Sequence, residues 1–156
     1  MQIRKMTEED LEGVLDVIAR HDEQDAEAAE AYFAEFFEEG EEEWLDRHFV
    51  ALSEEGAIVG VGGAQEDDEE GDRIWWLGWF YVDPDWRRQG VGEALLGRSL
   101  DWARTQGGRK VYVDVSALPL YDAARSFYTK HGFVEEGRLR DFYAVGEDCV
   151  LMGRPL

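Results

Sequence analysis

The feature that most constrains the fold of this chain is an apolar segment that passes through a short polar loop into a helix. Residues 74–82, IWWLGWFYV, are nine apolar, aromatic or glycine residues in a row. Such a run is too short for a membrane helix, and its lack of polar alternation predicts a strand in the middle of a sheet. The loop PDWRRQ follows, and residues 90–107 then carry apolar side chains at helical spacing.

The junction between this strand and this helix is suited to bind an anion. The first backbone N–H groups of a helix lack intrahelical acceptors, and the helix dipole adds positive potential beside them. Gly90 and Gly92 allow a phosphate to approach the backbone closely, and Arg87 and Arg88 add positive charge. Because the site is local and made mainly of backbone, a net charge of −20 does not forbid it.

The acidic composition limits the partners of the chain. The 36 acidic residues against 16 lysines and arginines disfavour nucleic acids, whose phosphates are repelled, and an anionic membrane surface. Only Lys5, Lys110 and Lys130 are lysines. An acidic, lysine-poor surface is typical of halophilic proteins, because self-repulsion is screened in brine. An acidic protein from a low-salt source is the alternative.

The length and the apolar content predict one domain over residues 1–156. A chain of this size with 44% hydrophobic residues buries a sizeable core without disulfides. Cys149 is the only cysteine, and its apolar surroundings favour a packing role. The N-terminal MQIRKMTEEDLE lacks the apolar core of a secretory signal, and the longest apolar run falls short of the about 20 residues of a membrane helix. We therefore expect a cytoplasmic protein.

The rest of the chain alternates predicted strands and helices. Strands are expected at 1–6, on both sides of a tight turn within 48–65, and at 109–116, 134–143 and 148–156, with helices at 7–20, 25–45 and 121–133. The helix at 90–107 joins two strands, which predicts a right-handed parallel crossover. The predicted fold class is α+β, with a mixed sheet of about seven strands and roughly four helices.

The junction fits one of three phosphate-binding patterns. It lacks the GK[ST] ending of nucleoside-triphosphate loops, and Leu95 stands where a dinucleotide fingerprint has its third glycine. The pattern [Q/R]-x-x-G-x-[G/A] matches at residues 87–92, RRQGVG. Together with YVDPDWR before it, EALL after it, the strand VYVDVS and the segment AARSFYTKHGF, it resembles the acetyl-CoA loop of the GNAT N-acetyltransferase superfamily. The resemblance follows the element order of the whole chain and is specific over residues 74–134.

The resemblance implies acetyl-CoA as co-substrate, with no metal. It also implies a largely antiparallel seven-stranded sheet with a central parallel strand pair. The backbone around residues 88–94 is implied to hold the CoA pyrophosphate, and an N–H of the aromatic strand is implied to polarise the thioester carbonyl. The implied cofactor-binding residues are Phe80, Tyr81, Val82, Arg87, Arg88, Gln89, Gly90, Val91, Gly92, Glu93 and Ala94.

Tyr128 matches the family tyrosine that commonly protonates the departing CoA thiolate. A phenol with a pKa of about 10 suits a thiolate of similar basicity, although a core aromatic is the alternative interpretation. The amine must lose a proton, and the central strand offers no glutamate as base. Asp114, which shares a strand face with Tyr112, is one candidate, and Asp83 or a water relay are others. Tyr121 replaces a family asparagine, so we expect CoA or substrate to bind differently there.

The acceptor is expected to be a small-molecule amine or a peptide amine. The acidic runs at 38–44 and 66–72 are expected to be solvated, but either would favour a cationic amine if it edged the acceptor cleft. Aromatic residues are the expected walls of this cleft, or core, namely Trp75, Trp76, Trp79, Tyr32, Phe33 and Phe36. His21, His48 and His131 show no metal spacing and are expected to be structural or exposed.

Two classes of function stay open from the sequence. The leading interpretation is an N-acetyltransferase that works by direct attack of the amine on the thioester. The other is a regulatory module that binds acyl-CoA without turnover. Transfer of a longer acyl group is a third interpretation, which the bulky Trp79 and Phe80 disfavour. Dimerisation is common in the family, and the last two strands are the expected interface of a homodimer.

Overall fold

The computed structural model describes residues 1–40 and 45–156. The strands are β1 (Gln2–Lys5), β2 (Arg47–Leu52), β3 (Ile58–Glu66), β4 (Ile74–Val82), β5 (Lys110–Ser116), β6 (Val134–Ala144) and β7 (Glu147–Pro155), and the helices are α1 (Leu11–Ala19), α2 (Glu23–Glu39), α3 (Val91–Thr105) and α4 (Asp122–Lys130). They form one sheet in the order β1-β2-β3-β4-β5-β7-β6. Among the strand pairs of the described residues, only β4–β5 is parallel. The predicted α+β fold, with its largely antiparallel seven-stranded sheet and central parallel pair, is confirmed.

Helices cover both faces of the sheet. On the face that we call the α2 face, α1 and α2 bury Ile18 and Phe33 against the sheet residue Val61. On the opposite face, the α3 face, Leu96 and Leu100 of α3 pack with α4 residues against the middle strands. Burial of apolar surface at roughly 25 cal/mol per Å² stabilises both layers, so the sheet is the common wall of two cores.

Strand β4 belongs to both cores and is open along part of one edge. Its pairing with β5 covers only Ile74, Trp75 and Trp76. From Leu77 to Val82, the edge of β4 that faces β5 has no strand partner among the described residues. The two parallel strands therefore separate and leave a gap in the middle of the sheet. The prediction of a strand in the middle of the sheet is confirmed, and residues 78–82, which lie beside the gap, are half-buried.

A β-bulge in β4 lies at the start of this gap. The β3–β4 register shifts between the pairs Val61–Tyr81 and Gly63–Gly78, which gives β4 one extra residue. Trp79 adopts a φ of 51° there, in the left-handed region that costs a non-glycine residue about 1–2 kcal/mol. The rings of Tyr32 and Phe33 pack on Trp79 with centroids at 5.5 and 6.0 Å. The α2 core therefore holds the strained backbone in place.

The ends of the first two helices differ from the prediction. The segment after Thr7 begins as a 3-10 turn at Glu8–Asp10 before α1 starts. Helix α2 begins earlier than predicted because Asp22 caps it, with Oδ1 accepting from the N–H of Gln24 at 2.7 Å. It ends at Glu39, before a glycine with φ of 86°. Residues 41–44 of the predicted helix and acidic run lie outside the described residues. No helix in the described part of the chain is long and apolar enough to cross a membrane.

Candidate active site

The N-terminus of α3 is open towards solvent. Gly90 is the N-cap with a φ of 82°, and no side chain caps the helix. The first intrahelical bond runs from the N–H of Ala94 to the carbonyl of Gly90 at 3.0 Å. The N–H groups of Val91, Gly92 and Glu93 therefore precede the helical ladder and are placed to bind an anion.

The predicted loop residues differ in what they can offer such an anion. Val91 is 1% exposed, so only its backbone can contact a ligand. Arg88 is exposed and Arg87 lies with Nη2 3.4 Å from Nδ1 of His21. Gln89 donates to the carbonyl of Asp85 at 3.2 Å, which holds the loop. The positive charge of this region thus comes from two arginines, and the binding surface is mostly backbone.

Contacts from the turn between α1 and α2 hold the other side of the loop. Arg20 bonds Oδ1 of Asp83 at 2.6 Å, and the same oxygen accepts from the N–H of Asp85 at 2.9 Å. His21 Nε2 lies 2.8 Å from the carbonyl oxygen of Val82. Since these contacts occupy the Asp83 carboxylate, its geometry favours a structural role over that of a base.

The predicted pantetheine-binding residues line the gap beside β4 with their backbone. Phe80 turns its ring to the α3 face, 6.1 Å from Phe127 and 6.3 Å from Tyr128 between centroids. Tyr81 turns to the α2 face, where its hydroxyl donates to Asp25 at 2.9 Å. The backbone of Phe80, Tyr81 and Val82 is therefore the part of this segment that a ligand in the gap can pair with.

Tyr128 lies on α4, among apolar side chains at the α3 side of the gap. It is 6% exposed, and its ring packs against Phe127 and Phe133 with centroids 5.4 Å away. Burial, and then the charge of Asp114, raises the pKa of Tyr128 well above its usual value. The phenol therefore stays protonated at neutral pH and can act as a hydrogen donor.

Asp114 lies on β5 and points to the α2 face. Val113 and Val115 are buried on the other face, so the predicted alternation is confirmed. The hydroxyl of Tyr143, from β6, donates to Oδ2 of Asp114 at 2.9 Å. The structure thus gives Asp114 a fixed orientation, and its charge reaches Tyr128 across the gap.

Sequence reasoning missed a group of side chains at the α2-face mouth of the gap. Burial raises the pKa of Tyr121, followed by the charge of Asp25 and then that of Glu147, so these groups lie near one another. Glu147, at the start of β7, accepts from Oγ of Ser116 at 2.7 Å. These residues come from three separate parts of the chain, near residues 25, 116–121 and 147, and the order of the strands in the sheet brings them together.

The aromatic and histidine side chains divide between core and cleft. Trp75 is 1% exposed, which confirms that at least one of the three tryptophans of β4 is core. Trp76 is half-buried, and its ring lies at an angle of 34° to that of Tyr112 with the centroids 5.3 Å apart. His48 and Cys149 are both buried. Within residues 1–40 and 45–156, no three His, Cys, Asp or Glu side chains are grouped to hold a metal ion.

Comparison with known sequences places this site in a family. The acetyltransferase (GNAT) family model matches residues 15–133. The N-alpha-acetyltransferase RimI of Mycobacterium tuberculosis is 32% identical over 108 residues, which are 69% of this chain and 65% of that protein. For the human N-acetyltransferase 8 the aligned part is 39% of its length. The chain therefore spans about half the length of the curated relatives that it matches.

Solved structures share the whole fold. A protein assigned to the GNAT family from Desulfovibrio desulfuricans superposes with a TM-score of 0.90 at 23% identity, over 99% of this chain and 98% of that one. An aminoglycoside 6'-N-acetyltransferase in complex with coenzyme A gives 0.78 at 16% identity, over 99% and 97%. The residues that match the family model include β4, the loop, α3, β5 and all of α4. This chain is a member of the GNAT acetyltransferase family.

Proposed function

We propose that the protein is an acetyl-CoA-dependent N-acetyltransferase that transfers an acetyl group to a primary amine. Its family membership supports acetyl-CoA as the co-substrate. The observation that carries the proposal is the gap between β4 and β5. The gap lies between the uncapped N-terminus of α3 and Tyr128, and it opens on the α2 face to a group of tyrosines and carboxylates.

The α3 side fits the co-substrate. The first N–H groups of α3, with Arg87 and Arg88, suit the pyrophosphate, because they combine free donors with positive charge. The open edge of Phe80–Val82 suits the amide-containing pantetheine arm, which pairs as an additional strand would. At the bulge, an N–H of β4 is the donor for the thioester oxygen as it becomes negative.

The α2 face admits the amine, whose nitrogen attacks the thioester carbonyl carbon directly. A C–N bond forms as the C–S bond breaks, so the nitrogen loses one proton and the sulfur gains one. Tyr128 supplies the proton to the thiolate. Its raised pKa keeps it protonated, and the same dry surroundings raise the basicity of a thiolate beside it, so the two groups remain matched.

The amine proton goes to Asp114 or through water to bulk solvent. Tyr143 orients the Asp114 carboxylate by a 2.9 Å hydrogen bond. Glu147, held by Ser116, is a second carboxylate on the same side of the gap. A base in this position acts on the amine from the face opposite Tyr128, so the two proton transfers do not compete for one group.

The experiment that tests the function is CoA release from acetyl-CoA across a panel of amines, in dilute buffer and in molar KCl. The panel contains diamines, aminoglycosides, free amino acids and short peptides with free N-termini. High salt is included because a net charge of −20 strains the fold at low salt and is screened in brine, which is the halophilic expectation. CoA release that requires amines of one class would show that the protein is an N-acetyltransferase and would identify the class of its acceptor.

A thermal melt with acetyl-CoA separates the alternatives. A ligand at about 100 times its dissociation constant stabilises the folded state by about 2.7 kcal/mol, which raises the melting temperature. A shift without any CoA release favours a non-catalytic acyl-CoA-binding module. An unchanged melting temperature at every salt concentration contradicts the co-substrate assignment itself.

We also propose that the protein forms a homodimer through β6. This strand pairs only with β7 among the described residues, and it exposes Leu139 and Phe142. Long open edges of this kind pair readily with a second strand. Light scattering at several protein concentrations measures the mass directly, and a monomer throughout contradicts the dimer.

A further inference from the structure

The turn between α1 and α2 reaches the end of β4 with the side chain of His21. Nε2 of this histidine lies 2.8 Å from the carbonyl oxygen of Val82, and Nδ1 lies 3.4 Å from Nη2 of Arg87. The ring of Tyr81 lies edge-on to the imidazole, with the centroids 5.5 Å apart. One imidazole therefore contacts both the strand that borders the gap and the loop that leads into α3.

The Val82 carbonyl belongs to the open edge of β4. The N–H of Asp83 donates to the carbonyl of Val59 at 2.9 Å, so these two residues form a hydrogen-bonded pair of the antiparallel β3–β4 ladder. Hydrogen-bonded and non-hydrogen-bonded pairs alternate along such a ladder. The next pair, Val82 with Gly60, is therefore non-hydrogen-bonded, and the N–H and carbonyl of Val82 point away from β3 towards the gap.

His21 supplies a hydrogen-bond donor where β4 has no neighbouring strand. Beyond Trp76, the described residues provide no strand on the gap side of β4. Carbonyl groups on such an edge need donors from elsewhere. His21 occupies the last of these carbonyls, at Val82, while the N–H of Val82 stays directed into the gap. A ligand arm that pairs along this edge therefore ends beside His21.

Both contacts require the same form of the imidazole. A carbonyl oxygen only accepts hydrogen bonds, and a guanidinium group only donates them. His21 therefore carries its proton on Nε2 and donates it to Val82, while Nδ1 accepts from Arg87. An imidazolium ring has an N–H on both nitrogens and cannot accept from Arg87. The bridge between strand and loop thus needs the neutral ring.

Arg87 differs from the nearby Arg20 in the group that holds it. Arg20 forms ion pairs with Asp83 and Asp85, at N–O distances of 2.6 and 3.3 Å. Among the described residues, no ion pair involves Arg87. A neutral nitrogen orients a guanidinium group without cancelling its charge. Arg87 can therefore present its full positive charge to a phosphate at the N-terminus of α3.

We propose that His21 is a positioning residue for the acetyl-CoA side of the gap. It occupies the last carbonyl of the open β4 edge, and it holds Arg87 towards the pyrophosphate. The proposal rests on the proposed function, because it takes the gap and the start of α3 as the co-substrate site. A site whose parts are already held in place loses less freedom when a ligand binds, so His21 strengthens acetyl-CoA binding.

The test is a double-mutant cycle of His21 and Arg87, measured by calorimetry of acetyl-CoA. His21→Leu removes both hydrogen bonds and should raise the dissociation constant by about tenfold. In an Arg87→Met protein the same change should raise it only about threefold, because only the Val82 contact is left to lose. In His21→Leu alone, kcat at saturating acetyl-CoA should stay within about twofold, since the lost binding is common to the ground state and the transition state.

Two further variants serve as controls. His21→Gln keeps an N–H for Val82 and an oxygen for Arg87, so its dissociation constant should lie within about twofold of wild type. Gln24→Leu makes an apolar substitution at an exposed position near the start of α2 and should leave acetyl-CoA binding unchanged. A purely structural role of His21 would lower the melting temperature equally with Arg87 or Met at position 87, and it would leave the affinity of the folded protein intact.

The outcomes distinguish the role of His21 from the co-substrate assignment. Binding of acetyl-CoA to the wild type supports that assignment whatever the variants do. The proposal alone is overturned by an unchanged dissociation constant in His21→Leu, by equal effects in the two Arg87 backgrounds, or by failure of His21→Gln to restore binding. Tighter binding by His21→Leu also overturns it, because His21 would then compete with the ligand arm for the Val82 carbonyl. If the wild type does not bind acetyl-CoA, both the assignment and the role of His21 are wrong.

Discussion

The two sides of the gap in the sheet are built by different means. The α3 side comes mostly from one contiguous segment, residues 80–94, and presents backbone N–H groups at a helix end. The α2 side is assembled from α2, β3, β4, β5 and β7, and presents carboxylates and phenols. A ligand common to a whole family can be bound by a local backbone motif, whereas a surface selective for one acceptor requires side chains from distant segments.

The electrostatics of the two sides differ in the same way. On the α3 side, a helix terminus and two arginines create positive potential within a protein of net charge −20. On the α2 side, burial and neighbouring carboxylates raise the pKa of Tyr81, Tyr121 and Tyr143. One side is therefore suited to an anion and the other to a cation, on opposite faces of a single strand.

The largest expected effect on catalysis comes from substitution of Tyr128, which lies between the two sides of the gap. Tyr128→Phe removes the proposed proton donor to the thiolate, so we expect kcat to fall by about 10²–10⁴-fold while acetyl-CoA still binds. Stopped-flow CoA release and calorimetry measure the two quantities. Tyr112→Phe, on the neighbouring strand β5, is the control and should keep kcat within about twofold, as surface substitutions usually do. A Tyr128→Phe variant with wild-type kcat contradicts the assigned role.

The second prediction concerns pH and the α2 side alone. Burial lowers the pKa of His48 to about 3, from 6.5 in the unfolded chain. Below pH 6.5 the His48 side chain is therefore protonated in the unfolded state and neutral in the folded state. The stabilisation that neutral His48 gives the folded state is complete above pH 6.5 and is lost as the pH falls towards 3. Between pH 7 and pH 5 the wild type should lose about 2 kcal/mol more of its unfolding free energy than His48→Gln.

Denaturant unfolding of both proteins in molar KCl measures this difference. The salt screens the repulsion between carboxylates in both proteins, so the titration of His48 dominates the difference between them. The two stability curves should converge as the pH is lowered. Curves that stay parallel from pH 7 to pH 5 contradict the lowered pKa of His48.

The smallest effect tests the backbone character of the α3 side. Gly90→Ala places a side chain at a φ of 82°, which should lower the unfolding free energy by about 1–2 kcal/mol and weaken acetyl-CoA binding. Gly97→Ala, the same substitution within α3 and in open space, should instead raise it by up to about 1 kcal/mol. Thermal melts with and without acetyl-CoA show both shifts. If Gly90→Ala and Gly97→Ala shift the melting temperature equally and in the same direction, the positive φ of Gly90 has no special effect on stability and the prediction is wrong.

The part of the molecule that could be predicted from the sequence is the part that is local. The strand 74–82, the glycine loop and the inward residues of α3 follow from short-range patterns, and the structure confirms the strand, the helix and the buried leucines. The length of the β4–β5 pairing and the bulge at Trp79 depend on the register and packing of strands that are distant in sequence. No local sequence pattern therefore indicates them. The grouping of Asp25, Tyr121 and Glu147 depends on sheet order over more than a hundred residues.

The three residue pairs that join β4 to β5 have a further consequence. Backbone pairing across the middle of the sheet stops at Trp76, so the unliganded chain consists of two half-sheets fastened at one end. If the co-substrate binds in the gap as proposed, it pairs with the open edge of β4 and bridges the two half-sheets. Resistance of the β4 and β5 amides to deuterium exchange should therefore follow the acetyl-CoA concentration. In a cell, the lifetime of the protein would then report the supply of activated acetate.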